Sequence, residues 1–467
     1  MNTGKRILSI LLILSSLTSL VACSQTQEEE KTSKPVEIAE MEVEESHAIS
    51  FDLIGGQDVM PIAGYYGLYN AGYSYNGQNA PELATEEMMK AVADCGINLL
   101  ESSNAGFTTD LLDWAAKYKV GLINSDGNIK KGQSLEQINE SLAKYRNHPG
   151  FCGLYLVDEP GGKTYYSQGG GGGIMEDWTE ISQQLDELGL FTYKNMIKIT
   201  GLSQKEGYEQ YIKEFCETMY PSHISYDYYP FDKDTRGDNV RYFWNMALVR
   251  EYAQKYEIPF WVFIQAGSQW NDGKGKFDST DYVPTEGEMD WSVNCSLAFG
   301  AQGLQYFPLV QPYWFAYALS TPFDFERNGI FGAWGNKNRW YYYAQDVNAQ
   351  VAEVDDVLMN AVSKGVIASG KQAKSDTSDA RDAMMEGTSW RELADVHGDA
   401  LVGCFNYQGK TALYVVNYDT QYAQDIVLDF YDTYNIRVSQ QAETKYVKAE
   451  QLTLQMEAGD GALIVFE

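Results

Sequence analysis

The sequence predicts a (β/α)8 barrel, the TIM-barrel architecture, followed by a small C-terminal antiparallel β-sandwich. From Met60 onwards, short apolar runs alternate eight times with amphipathic stretches, which is typical of parallel strands joined by helices. After about residue 362 the helical period disappears and only short apolar runs follow, which indicates antiparallel strands. The alternative is a doubly wound open sheet. Such a sheet usually carries a glycine-rich turn after its first strand, and this sequence has none there.

Each predicted barrel strand is an apolar run that ends at a polar or glycine-containing segment. The eight strands are expected at residues 60–69, 97–102, 120–124, 151–157, 191–198, 223–228, 260–265 and 303–309. Helices are expected at 81–93, 109–118, 176–188, 205–219, 240–256, 286–299 and 339–359, and one more opens at Ser134, where Gln137 completes a capping-box pattern. The strands of the tail are expected at 400–405, 411–417, 425–430, 450–455 and 461–466.

The first residues have the pattern of an export signal. Lys5 and Arg6 precede an apolar stretch that is too short and too rich in serine to span a bilayer. The stretch ends in Leu20-Val21-Ala22-Cys23, which resembles the bacterial lipobox; an ordinary secretory signal is the alternative. We therefore expect a signal peptide at 1–23, lipidation of Cys23 and a flexible tether at 24–50. The barrel would occupy 51–361 and the β-sandwich 362–467, with the chain anchored by its lipid to the outer face of a bacterial membrane.

Composition excludes several classes of function. The formal net charge of −30 argues against a nucleic-acid partner and favours a neutral glycan over an anionic one. The five cysteines after Cys23 are scattered and lack CxxC spacing, and the four histidines show no metal-ligand spacing. We therefore expect free thiols, no metal and no cofactor. The oligomeric state is not indicated.

In a (β/α)8 barrel the functional site lies at the carboxyl ends of the strands, so the residues that close the strands are the candidates. The polar candidates are Glu101, Asp126, Asp158, Glu159, Asp227, Gln265 and Gln311. The aromatic candidates for sugar contacts are Tyr65, Tyr229, Trp270 and Trp314. Paired carboxyl groups at one mouth are what glycoside hydrolysis needs, since one protonates the leaving oxygen and the other attacks the anomeric carbon or activates water.

The segment His148-Pro149-Gly150-Phe151-Cys152-Gly153-Leu154-Tyr155-Leu156-Val157-Asp158-Glu159-Pro160 resembles strand four of clan-A glycoside hydrolases, which include family 42 β-galactosidases. There an Asn-Glu-Pro motif places the acid/base glutamate. The resemblance implies that Glu159 is the general acid and that Asp158 stands at the sugar-binding asparagine position. Two other segments resemble these enzymes less specifically. They are the Ala298-Phe299-Gly300-Ala301 stretch before strand eight and the terminal run 459–466.

One departure from the clan is clear. Its nucleophile is a glutamate after strand seven, whereas this strand ends in Gln265. Either the strand assignment is displaced, or another strand supplies the second carboxylate, or the protein binds glycans without cutting them. Asp227 is our first choice for that carboxylate and Glu101 the second. We thus expect a glycosidase acting on a carbohydrate substrate. The alternative is a non-catalytic glycan-binding surface lipoprotein or the solute-binding protein of a sugar transporter.

Overall fold

The computed structural model describes residues 52–70, 74–75, 78–79, 81–101, 105–167, 169, 172–231, 239–267, 282–312 and 329–467. The predicted signal peptide, Cys23 and the tether lie outside these residues, as do Trp270 and Trp314. Among the described residues, no helix is both long enough and apolar enough to cross a bilayer.

Eight parallel strands close into a barrel, which confirms the predicted fold class. The strands are β1 (Ile62–Tyr65), β2 (Leu99–Glu101), β3 (Gly121–Asn124), β4 (Phe151–Asp158), β5 (Thr192–Met196), β6 (Ile224–Tyr226), β7 (Phe260–Gln265) and β8 (Leu304–Phe307). Each strand pairs with its neighbours in chain order, and β1 pairs with both β2 and β8. The carboxyl ends of all eight strands therefore meet at one mouth.

Helices surround the barrel. They are α1 (Glu86–Asp94), α2 (Thr109–Tyr118), α3 (Leu135–Leu142), α4 (Thr179–Glu187), α5 (Lys205–Met219), α6 (Asn239–Lys255), α7 (Glu286–Ala298), α8 (Arg339–Ala352) and α9 (Asp355–Leu358). The predicted capping box at Ser134 and Gln137 is present at the start of α3. The helix predicted from residue 81 starts later, because the side chain of Thr85 accepts a hydrogen bond from the Met88 N–H and fixes the first turn. The predicted last helix is divided into α8 and α9.

The interior of the barrel changes character from bottom to mouth. Its lower layers are filled by buried apolar and aromatic side chains, namely Ala63, Leu99, Ile123, Tyr193, Trp261 and Phe263. Complete burial of one such large side chain contributes about 1.5–3 kcal/mol, so these layers make the barrel a packed core and not a pore. Polar residues are buried closer to the mouth. The wider apolar layer between strands and helices forms a separate and larger cluster.

The chain continues into seven antiparallel strands, which confirms the predicted β-sandwich. They are β9 (Ala361–Ser369), β10 (Leu393–His397), β11 (Ala400–Tyr407), β12 (Lys410–Asn417), β13 (Gln424–Gln440), β14 (Glu443–Met456) and β15 (Gly461–Phe466). The sequence analysis missed β9 and β10, and between them it missed a short helix, α10 (Lys371–Asp376).

Two layers arise because β13 and β14 are long and their register is interrupted between Asp429 and Tyr434. The first half of β13 pairs with β10, whereas its second half pairs with β15. The sheet therefore folds over its own core, which includes Val402, Leu413, Leu428 and Ile464.

Helix α7 joins the two domains. Most of its residues are buried, because one side packs on the barrel and another on the β-sandwich. The side chain of Asn294, 1% exposed, donates to the Gly459 carbonyl (2.9 Å) and accepts from the Tyr414 hydroxyl (2.6 Å). Gly287 is also in close contact, since a Cβ there would lie 2.6 Å from the Thr420 carbonyl oxygen. This interface is packed like a protein interior.

We predict that Tyr414→Phe lowers the stability of the protein by about 1–3 kcal/mol, because it leaves the buried Asn294 oxygen without its donor. The matched control is Tyr446→Phe, since Tyr446 is 70% exposed. Thermal and urea unfolding of both variants would check this. Equal midpoints for the two variants would show that the bond contributes nothing to the interface.

Candidate active site

A bulge in β4 decides which side chains of this strand face the barrel interior. Opposite β5, Tyr155 pairs with Tyr193 and Val157 pairs with Lys194, so Leu156 is an extra residue without its own partner. Without the bulge, strict alternation would turn Asp158 away from the face that carries Tyr155. The extra residue brings both inward, and both contact the hydroxyl of Tyr65.

Glu159 follows β4 in an uncommon backbone conformation. Its φ is +45°, in the left-handed region that residues other than glycine rarely adopt. Such a conformation costs on the order of 1–3 kcal/mol and persists only where the surroundings impose it, as at functional sites. Here the Glu159 N–H donates to the carbonyl of Asn195 (2.9 Å), which fixes the residue beside β5.

The carboxylate of Asp158 is held at both oxygens. Tyr65 donates its hydroxyl to Oδ2 (3.0 Å), and the amide nitrogen of Asn195 donates to Oδ1 (3.0 Å). The hydroxyls of Tyr65 and Tyr155 lie 2.6 Å apart. Asp158 is therefore fixed at the floor of the mouth, and its predicted sugar contact stays a prediction.

Asp227 follows β6 and meets Glu159 across the mouth. The two carboxyl groups are close enough for the charge of Asp227 to raise the pKa of Glu159. The same amide nitrogen of Asn195 that binds Asp158 also donates to Asp227 Oδ1 (3.3 Å). The predicted catalytic residues Glu159 and Asp227 are thus brought together, with Asp158 as their neighbour.

Burial and mutual repulsion push the two carboxyl pKa values upward. Burial, then the charges of Asp227 and Asp158, raise the pKa of Glu159 to about 8. Burial, then the charge of Asp158, raise the pKa of Asp227 to about 6, while Lys198 and the Asn195 bond oppose that rise. Near neutral pH these shifts favour the protonated form of Glu159 beside the ionised form of Asp227.

Aromatic side chains form the walls around this pair. Burial, then the charge of Glu159, raises the pKa of Tyr166, and burial beside Asp158 and Glu159 raises the pKa of Tyr66 to about 12. Tyr229 is close to Asp227, and the Lys198 ammonium lies 6.0 Å from the centre of its ring. A cation near two phenol rings and two carboxyl groups gives the mouth both charged and stacking surfaces.

Glu101 lies below the mouth. It is completely buried, and burial together with the charge of Asp158 raises its pKa well above the ordinary value. The amide of Gln305, oriented to satisfy its surroundings, donates to Glu101 (3.1 Å) and to the Tyr193 hydroxyl (2.8 Å). Glu101 thus belongs to the polar layer under the site, and its predicted contact with substrate stays a prediction.

Gln265 ends β7, at the position where clan-A glycoside hydrolases have their nucleophile. Its side-chain amide is hydrogen-bonded to backbone groups. Its amide nitrogen donates to the carbonyls of Phe231 (2.7 Å) and Gly267 (3.0 Å), and its oxygen accepts from the Phe231 N–H (3.2 Å). Both donor hydrogens are therefore used, and Gln265 fastens the segment after β6. Its predicted sugar contact stays untested, but an acid would not fit this hydrogen-bonding pattern.

Two other predicted positions differ from the central group. Asp126 accepts from the Asn128 N–H (2.8 Å) and from the Tyr145 hydroxyl, so its described bonds stay within its own loop and with the residue that follows α3. Gln311 follows β8 and is completely buried, and within the described part of the chain neither of its amide atoms has a partner. A buried amide without partners is costly, which keeps Gln311 a candidate for substrate contact.

The sequence analysis missed Asn195, Lys198, Tyr66 and Tyr166. The rule that selected the other candidates could have found Asn195 and Lys198, because both lie at the end of the fifth strand, whose terminal residues were not considered. The positive φ of Tyr66 and Tyr166 has no signature in the sequence. Among the described residues, no group of His, Cys, Asp or Glu side chains is arranged to hold a metal ion.

No protein-family model matches the chain, and no curated protein sequence matches it. The fold is similar to the crystal structure of a β-galactosidase from Bacillus circulans sp. alkalophilus, with a TM-score of 0.54 and 9% identity over 87% of this chain and 99% of that chain. A family 5 glycoside hydrolase from Bacteroides vulgatus also aligns, with a TM-score of 0.45 and 11% identity over 88% and 89% of the two chains. The first likeness shows the fold, and the second adds nothing to it.

We predict that Gln265→Glu destabilises the protein by about 1–3 kcal/mol. We also predict that the introduced glutamate does not take over the role of the second carboxylate of the site. The new carboxyl group would face two carbonyl oxygens that now receive hydrogen bonds. Thermal unfolding checks this, with the exposed Gln421→Glu as the control. A Gln265→Glu protein as stable as the wild type would contradict the assignment of this amide to the backbone.

Proposed function

We propose that the chain is a glycosidase in which Glu159 is the general acid and Asp227 the nucleophile. The observation that carries the proposal is the convergence of Asp158, Glu159 and Asp227 at the mouth of the barrel, where one Asn195 amide donates to Asp158 and Asp227 and burial and nearby charge raise the pKa of Glu159. Two carboxyl groups in opposite protonation states are the requirement of glycoside hydrolysis.

Glu159 is suited to donate a proton at neutral pH. Its pKa of about 8 keeps the carboxyl group protonated until a substrate displaces Asp227 from it. When the glycosidic oxygen takes the place of the Asp227 oxygen, the proton moves to that oxygen as the bond to the anomeric carbon breaks. General acid catalysis of this kind contributes about 10²–10⁴-fold to a rate.

Asp227 is suited to attack the anomeric carbon. Lys198 and the amide of Asn195 favour its ionised form. The charge of Asp227 acts on the Glu159 carboxyl group, and a pair that close fits the roughly 5–5.5 Å separation of retaining enzymes better than the roughly 6.5–9.5 Å that leaves room for a water molecule. We therefore propose a covalent glycosyl intermediate on Asp227, which water activated by Glu159 then hydrolyses with overall retention.

This assignment moves the nucleophile from β7 to β6. The hydrogen bonds of Gln265 to the backbone support this assignment, because the side chain that ends β7 then holds the segment after β6 in place and supplies no acid. The residues proposed to contact the sugar are Asp158, Tyr65, Glu101, Asp126, Gln265, Tyr229, Trp270, Gln311 and Trp314. The net charge of −30 favours a neutral oligo- or polysaccharide as substrate.

We also propose that the protein works at the outer face of a bacterial membrane, anchored through Cys23. The support is the basic, apolar and Leu20-Val21-Ala22-Cys23 segments at the start of the sequence. Metabolic labelling with a clickable fatty acid, with and without Cys23→Ser, tests this anchor. An unlabelled wild-type protein would argue for an ordinary secretory signal.

The proposed role of Glu159 predicts a dependence on the leaving group. Glu159→Gln should lower kcat/KM by about 10²–10⁴-fold for aryl glycosides with poor leaving groups and far less for dinitrophenyl glycosides, which need no proton to depart. The substrate is whichever glycoside of a screening panel the wild type hydrolyses. The exposed Glu140→Gln is the control. Equal losses for all leaving groups would contradict the acid role, and a wild type that binds glycans but hydrolyses none would favour the non-catalytic alternative.

The proposed role of Asp227 predicts a covalent intermediate on its carboxyl group. A 2-deoxy-2-fluoro glycoside of the same sugar with a good leaving group should inactivate the protein and leave a sugar ester on Asp227, found by mass spectrometry of the digested chain. Proton NMR of the natural reaction should show first the product anomer with the configuration of the substrate. An inverted first product, or an ester on another acid, would contradict the role of Asp227.

A further inference from the structure

Asn195 contacts all three carboxylic residues of the mouth. Its side-chain nitrogen donates to Asp158 (3.0 Å) and Asp227 (3.3 Å), and its backbone carbonyl accepts from the Glu159 N–H (2.9 Å). The residue is 2% exposed, so these bonds are shielded from water. A substitution of the side chain would remove the first two bonds and keep the third.

Ser225, in the buried layer under the mouth, sets the orientation of the Asn195 amide. Ser225 donates its hydroxyl to the Asn195 oxygen (2.8 Å) and lies 3.1 Å from the Tyr193 hydroxyl. The opposite orientation of the amide would place its oxygen against two carboxyl groups, which repel it. Ser225, Tyr193, Gln305 and Glu101 together form a completely buried polar layer.

We propose that Asn195, oriented by Ser225, is a positioning residue that keeps Asp227 ionised and so leaves the mobile proton of the pair on Glu159. A hydrogen bond donated to a carboxylate favours its charged form, and this one comes from a buried amide with both hydrogens committed to acids. The inference rests on the proposed roles of Glu159 and Asp227, and it adds the interaction that gives the two carboxyl groups different protonation states.

Few other groups near Asp227 can change charge between pH 5 and 9. The titratable groups that face it are Asp158 and Glu159 from β4, Lys198 after β5, and Tyr166, Tyr208, Tyr211 and Tyr229. Burial raises the pKa of each of these four tyrosines above its ordinary value, so they stay neutral there. Among the described residues, the remaining influences on Asp227 are the two acids, Lys198 and the Asn195 amide.

The test is the pH profile of kcat/KM. The wild type should give a bell, which falls below pH about 6 as Asp227 gains a proton and above pH about 8 as Glu159 loses one. Asn195→Ala should move the acidic limb upward by about one pH unit, as loss of one hydrogen bond to a charged group implies. It should lower kcat more than it raises KM.

Ser225→Ala, a smaller change, should move the same limb in the same direction by less. The exposed Asn360→Ala is the control. A midpoint of the Asp227 carboxyl in ¹³C NMR, followed in the same variants, gives a readout that needs no turnover and should move by the same amount. An acidic limb and a carboxyl midpoint that stay in place in both variants would overturn the role of Asn195, even if their melting temperatures fall.

Failure of the proposed function has a different outcome. It would appear as a wild-type profile without two limbs, or as a Glu159→Gln protein that hydrolyses all glycosides at the wild-type rate. In that case the carboxyl midpoint still decides whether Asn195 stabilises the Asp227 anion.

Discussion

The electrostatic repulsion between the carboxyl groups of Glu159 and Asp227 is the interaction on which the candidate site depends. Two partly buried carboxylates that lie close together repel each other, which favours a proton on one of them near neutral pH. The surroundings decide which one. Lys198 and Asn195 favour the charge on Asp227, whereas Glu159 lies between two acids in a buried position. The two carboxyl groups thus differ in their tendency to hold a proton, as the proposed roles of acid and nucleophile require.

The rest of the fold supplies the rigidity that this pair requires. The bulge in β4 turns Asp158 inward, the unusual backbone at Glu159 is held by β5, and Gln265 fastens the segment that follows Asp227. The bulge and the backbone conformation of Glu159 cost stability locally, whereas the Gln265 hydrogen bonds offset part of that cost. The packed aromatic layers of the barrel and the interface of α7 with the β-sandwich stabilise the fold. In (β/α)8 barrels the mouth usually carries function and the rest of the barrel carries stability.

The sequence predicted the parts that depend on local patterns. Strand β7, helices α2 and α5 and the capping box at Ser134 follow from periodicity and capping, and the strand-end rule found Glu159, Asp158 and Asp227. The sequence analysis missed the features that depend on how neighbouring strands pair. The bulge at Leu156, the amide of Asn195 between two acids and the engagement of Gln265 by Phe231 arise from neighbouring strands, which no single segment encodes. The first two strands of the sandwich, β9 and β10, were missed as well.

The most direct measurement is a neutron crystal structure of the deuterium-exchanged protein near pH 7. We expect deuterium on the Glu159 carboxyl group, directed at a bare Asp227, and both amide deuterons of Asn195 directed at Asp158 and Asp227. Deuterium on Asp227 with a bare Glu159 would contradict the account. So would two bare carboxylates that lie too far apart to share a hydrogen bond.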